Sequence, residues 1–175
     1  MAQKAIGPTF PDELRAAKVP LDGIAWGADG AISYREDVPQ AVKDQVAAIY
    51  AAHNPASPST AQIDAERDRR LAAGFADTAA AGTGKTFQCD PLSIDKWNAI
   101  GSAAGLSIVM NTLPVPSFTL IAADNSTIVL TPVQAYALLQ GRVMPWVSAT
   151  VLHARDLKDL ILAGTPPADI TQGWP

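Results

Sequence analysis

The chain has one cysteine, Cys89, among 175 residues. A lone thiol excludes an internal disulfide and any zinc site built from several cysteines. It also fits a reducing compartment. There are two histidines, His53 and His153. Zinc would need further ligands beside them, so each reads as a solvated or hydrogen-bonded side chain. Aromatics supply only 6% of the residues although 48% are hydrophobic, so alanine carries much of the apolar count. Alanine buries little area, which makes the core thin per residue and favours assembly with partners. No basic run exceeds Arg69-Arg70 and the net charge is −4. Nucleic acid would need a clustered basic face, so no nucleic-acid partner is expected. No window reaches the ~20 apolar residues of a membrane span. The opening MAQKAIGPTFPDEL lacks an apolar core of signal-peptide length. No membrane anchor and no export signal are therefore expected.

The richest stretch is Thr131 to Ala163. Thr131 is a good N-cap, and Pro132 sits where its missing N–H costs nothing. Gly164, Pro166 and Pro167 end the run. Pro145, inside it, predicts a kink or a split. Before Pro145 the helix is apolar nearly all round, through Val133, Tyr136, Leu138, Leu139, Val143 and Met144, with Trp146 just after. Beyond it, Arg155, Asp156, Lys158 and Asp159 form a polar face opposite Val151, Leu152, Leu157, Leu160 and Ile161. A helix apolar all round is buried by something, either the rest of this chain or a neighbour. Leu139, Val143 and Trp146 are therefore candidate interface residues. Trp174, near the C-terminus, is a fourth, because its ring gains from a docking surface.

The remaining pattern gives short elements. Residues 1–23 read as an irregular arm with a short helix over Pro11 to Lys18, in need of a surface to lie on. IAWGADGAISY, residues 24–34, is a hairpin signal around Asp29-Gly30, with Trp26 and Tyr34 close across the pair. Residues 39–53 predict a helix capped by Asp37, with Val42, Val46, Ile49 and Tyr50 as its stripe. Asn54 to Thr60 reads as a stiff, exposed linker. Residues 60–73 form a charged helix with Glu66 and Arg70 as an i,i+4 pair and Gly74 as its C-terminal cap. A loose hairpin follows around Gly82-Thr83-Gly84. Residues 92–110 predict a helix capped by Ser93, with Trp97, Ile100 and Ala104 inward and Gly101 and Gly105 allowing close packing. FTLI and TIVL, within residues 117–130, form the clearest hairpin. The fold class is α+β, mainly helical, with short β-hairpins and a long, proline-interrupted C-terminal helix. Two modules are expected, 1–56 and 57–175.

Several motifs point to chemistry and do not hold up. AAAGTGKT, Ala79 to Thr86, resembles the end of a phosphate-binding loop. It lacks the leading glycine, the buried strand before it and the helix after it. Cys89 with a histidine would suggest a nucleophile pair, but little nearby lowers its pKa, and a buried apolar cysteine fits better. Asp64 and Asp68 share a helix face that Glu66 does not, so the three cannot hold one metal. Trp26, Trp97, Trp146 and Trp174 could make a sugar platform, but core or interface anchors fit better. No catalytic residue, cofactor or metal site is expected, and so no enzyme.

Three stretches in order carry a resemblance. They are IDAERDRRLAAGF with GKTFQCD within Ile63 to Asp90, IAADNSTIVLTP from Ile121 to Pro132, and the closing ARDLKDLI. Over about residues 60–175 they resemble the C-terminal module of unknown function found in tail and tail-fibre-region proteins of tailed phages and prophages. IAWGADGAISY with the helix ending AAHNP is similar to the small module that often precedes it. The chain departs from that pattern after Phe75, where ADTAAAGT lengthens a loop. The resemblance carries no catalytic residues. It implies a structural component of a bacteriophage tail, at the baseplate, tail tip or fibre attachment, made in the host cytoplasm and placed in the virion. Its implied partners are other phage tail proteins and copies of itself. A tail-fibre assembly chaperone is the alternative, and a cell-wall hydrolase a more distant one.

Overall fold

The structure is a computed structural model and describes residues 4–78, 82–110 and 116–175. It is a mainly helical α+β protein whose described strands pair as two-stranded hairpins. Contacts divide the chain into one unit of residues 1–65 with 154–172 and another of 66–153 with 173–175.

The first unit holds α1 (Phe10–Ala16), the hairpin β1 (Ile24–Trp26) and β2 (Ile32–Tyr34), and α2 (Gln40–Ala52). It also takes the start of α3 (Thr60–Ala73) and the end of α6 (Met144–Leu162). Phe10 is its centre, fully buried, with Trp26, Tyr50 and His53 packed edge-on at 5.7, 6.1 and 5.2 Å. Such offset aromatic packing stabilises beyond simple area burial. The arm lies on its own unit. Ile6 N–H bonds Ala28 O at 3.1 Å, and Tyr50 Oη–H donates to Lys4 O. Gly30, at φ +92°, is needed both for the turn and for that arm, because a Cβ there would stand 2.1 Å from Lys4 O.

Local details differ from the sequence reading for identifiable reasons. Tyr34 faces Ile24, and Trp26 faces Ile32. Asp37 does not cap α2; its carboxylate is taken by Arg35 at 2.6 and 3.0 Å, and Pro39 holds the cap position without a side-chain bond. Asn54 to Thr60 is not a fully exposed linker. Ser57 and Ser59 are buried, and Ser59 exchanges bonds with Gln62 across the first turn of α3. That serine-to-glutamine exchange is a capping box. At the other end of the unit, Lys158 of α6 reaches Asp64 of α3 at 2.5 Å.

The second unit centres on α4 (Pro91–Met110), which packs against α5 (Pro132–Leu138) and the turn after it. Two hairpins complete it: β3 (Phe75–Ala76) with β4 (Thr86–Phe87), and β5 (Phe118–Ile121) with β6 (Thr127–Leu130). Asp90, rather than Ser93, caps α4: it accepts from Ser93 N–H at 3.1 Å and Ser93 Oγ–H at 2.6 Å. Pro91 then occupies the first helical position. A Cβ on Gly101 would meet the Gln140 side chain at 2.5 Å, and one on Gly105 the Tyr136 ring at 3.0 Å. These glycines are where α5 and the following turn press onto α4.

Thr131 caps the helix as expected, and Gln134 completes a capping box with it. The helix does not break at Pro145. A π turn, Leu139–Val143, precedes it, and Met144 N–H bonds Leu139 O five residues back. In an unbroken α-helix the proline ring would press on the Gly141 carbonyl and leave it unpaired. Widening one turn before the proline removes that conflict and lets α6 continue. The buried stripe of α6 is Val147, Thr150, Ala154 and Leu157. Val151, Leu152 and Leu160, expected inward, are exposed. The stripe is built from small residues, and the Thr150 hydroxyl is satisfied by Trp146 O at 2.9 Å.

Candidate docking surfaces

Among the motifs, the glycine loop carries its own anion. Ala79, Ala80 and Ala81 lie outside the described residues. In the rest of the loop, Asp77 Oδ2 accepts from Thr83 N–H at 2.6 Å and from Thr83 Oγ1–H at 3.0 Å. Asp77 Oδ1 takes Arg142 of the π turn at 2.5 Å, and the Asp77 side chain has no exposure. Lys85, the would-be phosphate lysine, is paired with Asp124 at 2.8 Å. That lysine, with Ser126, holds the Asp124 carboxyl well below the usual carboxylate range. The loop is closed by carboxylates of the same chain.

His53 is a staple. Its Nε2 accepts from Gly7 N–H at 2.8 Å, which leaves the proton on Nδ1 facing the Glu13 carboxylate at 2.9 Å. With both nitrogens engaged and no exposed side-chain area, it ties the arm, α1 and α2 together and offers no base to a substrate. His153 lies against Trp174 at 4.7 Å. Cys89 is fully buried, and burial pushes its thiol up from the ordinary value. The three acids of α3 are each engaged: Asp64 with Lys158, Glu66 with Arg69 and Arg70, and Asp68 with Arg67. The Arg69 hydrogen bond, with Arg70, lowers Glu66 from 4.5 to about 2. Among the described residues no group of three or more His, Cys, Asp or Glu could hold a metal ion. No helix among them is long and apolar enough to cross a membrane.

The four residues expected at an interface are drawn into the chain's own packing. Leu139 and Val143 are core residues with no exposed area. Four residues apart, the two share one face of the helix, and that face is inward. Trp146 packs at 5.9 Å from Phe75, and its Nε1–H donates to Pro175 O at 3.1 Å. The Arg70 guanidinium lies 5.0 Å from the centre of the Trp174 ring.

Besides Val151 and Leu152 of α6, the described residues of this unit leave apolar surface uncovered on α4, α5 and the β5–β6 hairpin. Leu92, Leu106 and Val109 of α4 are 72%, 54% and 83% exposed. Ala99, Ser102, Leu106 and Val109 follow three-, four- and three-residue steps, the spacing of a helix-packing seam, with Leu92 two turns before them. Leu106, Ile108 and Val109 share a groove of about 640 Å³ with Tyr136 of α5. On the hairpin, Leu120 and Leu130 point inward, while Ile121 and Val129, on the outer face, are 60% and 64% exposed. The sequence signal was available. FTLI and TIVL are apolar or β-branched on both faces, which a hairpin covered on one side does not need.

A second depression of about 410 Å³ lies between α4 and β5. Trp97, Ile100, Leu120 and Ile121 give it apolar walls, and Gln88, Lys96 and Asn125 line its polar parts. Trp97 is fixed there by its Nε1–H bond to Gln88 O at 2.7 Å and by an edge contact to Phe87.

The profile of one protein family, described as a domain of unknown function (DUF4376), matches residues 55–172. No curated protein and no solved structure matches the chain.

Proposed function

The chain belongs to the DUF4376 family, and from that premise we propose that it is a non-enzymatic structural component of a bacteriophage tail, docking on other tail proteins and on copies of itself. The baseplate, the tail tip and the fibre attachment are the places such a subunit would occupy. Two things support the reading. One is the resemblance of the stretches in Ile63 to Asp90, Ile121 to Pro132 and the closing ARDLKDLI to modules of tail and tail-fibre-region proteins. The other, which carries the docking part, is the apolar groove at the end of α4. Leu106, Ile108 and Val109 with Tyr136, and their exposed neighbours Met110 and Val133, are six apolar side chains about half exposed or more, on the order of several hundred Å² of apolar area. A patch of that size on a monomer is often functional.

Mass spectrometry of purified particles of a phage encoding this chain tests the virion assignment. The expected result is the chain at stoichiometric copy number. Its absence from particles, with presence in infected cells, would favour the assembly chaperone. Light scattering after size exclusion tests the docking surface. The wild-type chain is expected to self-associate at tens of micromolar. Leu106→Asp with Val109→Asp should give a folded monomer, because both positions are exposed in the single chain. A wild-type chain monomeric throughout that range would refute self-docking.

A further inference from the structure

The β5–β6 ladder has a free edge that opens into the α4–β5 cleft. Ala122 N–H bonds Ser126 O at 2.9 Å, so residues 122 and 126 form a hydrogen-bonded pair. In an antiparallel ladder such pairs alternate with non-bonded ones. The register Thr119↔Val129 and Ile121↔Thr127 therefore holds the non-bonded pairs. The N–H and C=O of Thr119 and Ile121 then point away from β6, and among the described residues they meet no partner. The next outward donor in this series, Ala123 N–H, bonds Thr86 O at 2.8 Å. The chain itself thus closes one end of the edge. It then diverges, so that Gln88 and Ile121 line the same cleft. What remains is two residues of open strand edge, flanked by Trp97 and Ile100, with Lys96 beside it. Lys96 is exposed and makes no ion pair among the described residues.

We infer that this cleft receives an extended segment of another polypeptide, added to β5 as a third strand, with an acidic side chain meeting Lys96. An unpaired edge is a template for strand addition. Backbone bonds supply affinity there, and alternate side chains supply specificity. Every second residue of the guest would face Trp97 and Ile100, and these favour Val, Ile or Leu. Lys96 sets the charge preference. A second copy of this chain does not supply the guest. Each of its described strands would bring its hairpin partner with it, which a cleft of about 410 Å³ walled by Trp97 and Ile100 does not admit, and the arm is fixed through Ile6 and Gly7. Trp146 and Arg70 engage its last residues, Pro175 and Trp174.

The inference rests on the reading of the chain as a docking subunit but uses a different surface from the α4–α5 groove. The probe is a yeast-displayed library of random octapeptides panned against the full chain. Enriched peptides are expected to alternate β-branched or Leu residues with polar ones and to carry an Asp or Glu. Lys96→Glu should weaken them at least tenfold. N-methylation of the backbone at every second peptide residue should abolish binding, while methylation at the intervening ones should leave it intact. Bound peptide should slow hydrogen exchange at the Thr119 and Ile121 amides. No enrichment, equal binding to Lys96→Glu, loss of binding from N-methylation at every position alike, or no added protection at those two amides would overturn the inference. None of these failures would alter the particle composition or the self-association described above.

Discussion

Asp77→Asn should destabilise the second unit by about 3 kcal/mol, and the size follows from its three partners. The carboxylate takes Thr83 N–H, Thr83 Oγ1–H and Arg142 Nη1 at 2.6, 3.0 and 2.5 Å, with no exposed side-chain area of its own. Hydrogen bonds to a charged group contribute about 1.5–3 kcal/mol each, and they are not additive within one network. An amide keeps one oxygen. Its NH₂ must then face either the Thr83 amide or the guanidinium, donor against donor. Breaking one side of a buried pair costs about 3–5 kcal/mol. Arg142 retains 30% of its exposure, so water relieves part of its loss and the lower end applies. At about 2–4 °C per kcal/mol for a chain of this size, Tm should fall by about 6–12 °C. Urea titration followed by Trp97 and Trp146 fluorescence gives the free energy directly. Arg142→Met keeps the aliphatic stem and should cost about 2 kcal/mol. The double variant should then show about 1–2 kcal/mol of coupling. A loss below about 0.5 kcal/mol for Asp77→Asn, or strict additivity in the cycle, would refute the view that this pair pins the lengthened loop to the π turn.

Gly30→Ala should destabilise the first unit by at least about 2 kcal/mol, because it meets a left-handed φ and a carbonyl oxygen 2.1 Å from the new Cβ together; thermal unfolding by circular dichroism reads it. Glu66 makes stability pH-dependent. Arg69 and Arg70 lower its folded value from 4.5 to about 2, so its contribution is present in full above about pH 4.5 and is lost as pH falls toward 2. Glu66→Gln should therefore be less stable than wild type at pH 7 by about 1–2 kcal/mol. The gap should close on acidification, and a pH-independent gap would count against the pairing.

The helices were legible wherever a strong local signal stood alone. Thr131-Pro132 started α5, and TAQIDAERDRRLAA with Gly74 bounded α3 at both ends. Caps failed where a side chain had a better offer. Asp37 went to Arg35, and Ser93 gave way to Asp90 one turn earlier. An apolar run on nearly every side before Pro145 does not say which face the chain's own core covers. A proline announces a disturbance without saying whether the helix bends, breaks or widens. Here it widens, and Leu139 and Val143, four residues apart on one face, are both in the core. Much of the exposed greasy surface lies on α4, where the three-and-four spacing through Ala99, Ser102, Leu106 and Val109 was in the sequence from the start. It was obscured there by Ala99 and Ser102, which fit the seam yet carry little hydrophobicity. The open edge of β5 was not legible, because it depends on which pairs of the ladder are bonded, and that is fixed by the Asp124-Asn125 turn.

Cys89 has a practical consequence. The native thiol is shut away beside Phe87, to whose carbonyl oxygen it donates at 3.4 Å, and burial keeps it protonated at neutral pH. Maleimides and disulfide reagents attack thiolates that they can reach. A single cysteine introduced on the exposed side of α4, as in Asn98→Cys, would thus be the one position to take up a crosslinker or a dye, with the wild-type background left intact. Neighbours could then be trapped and identified inside an assembled particle without first stripping the chain of its own sulfur.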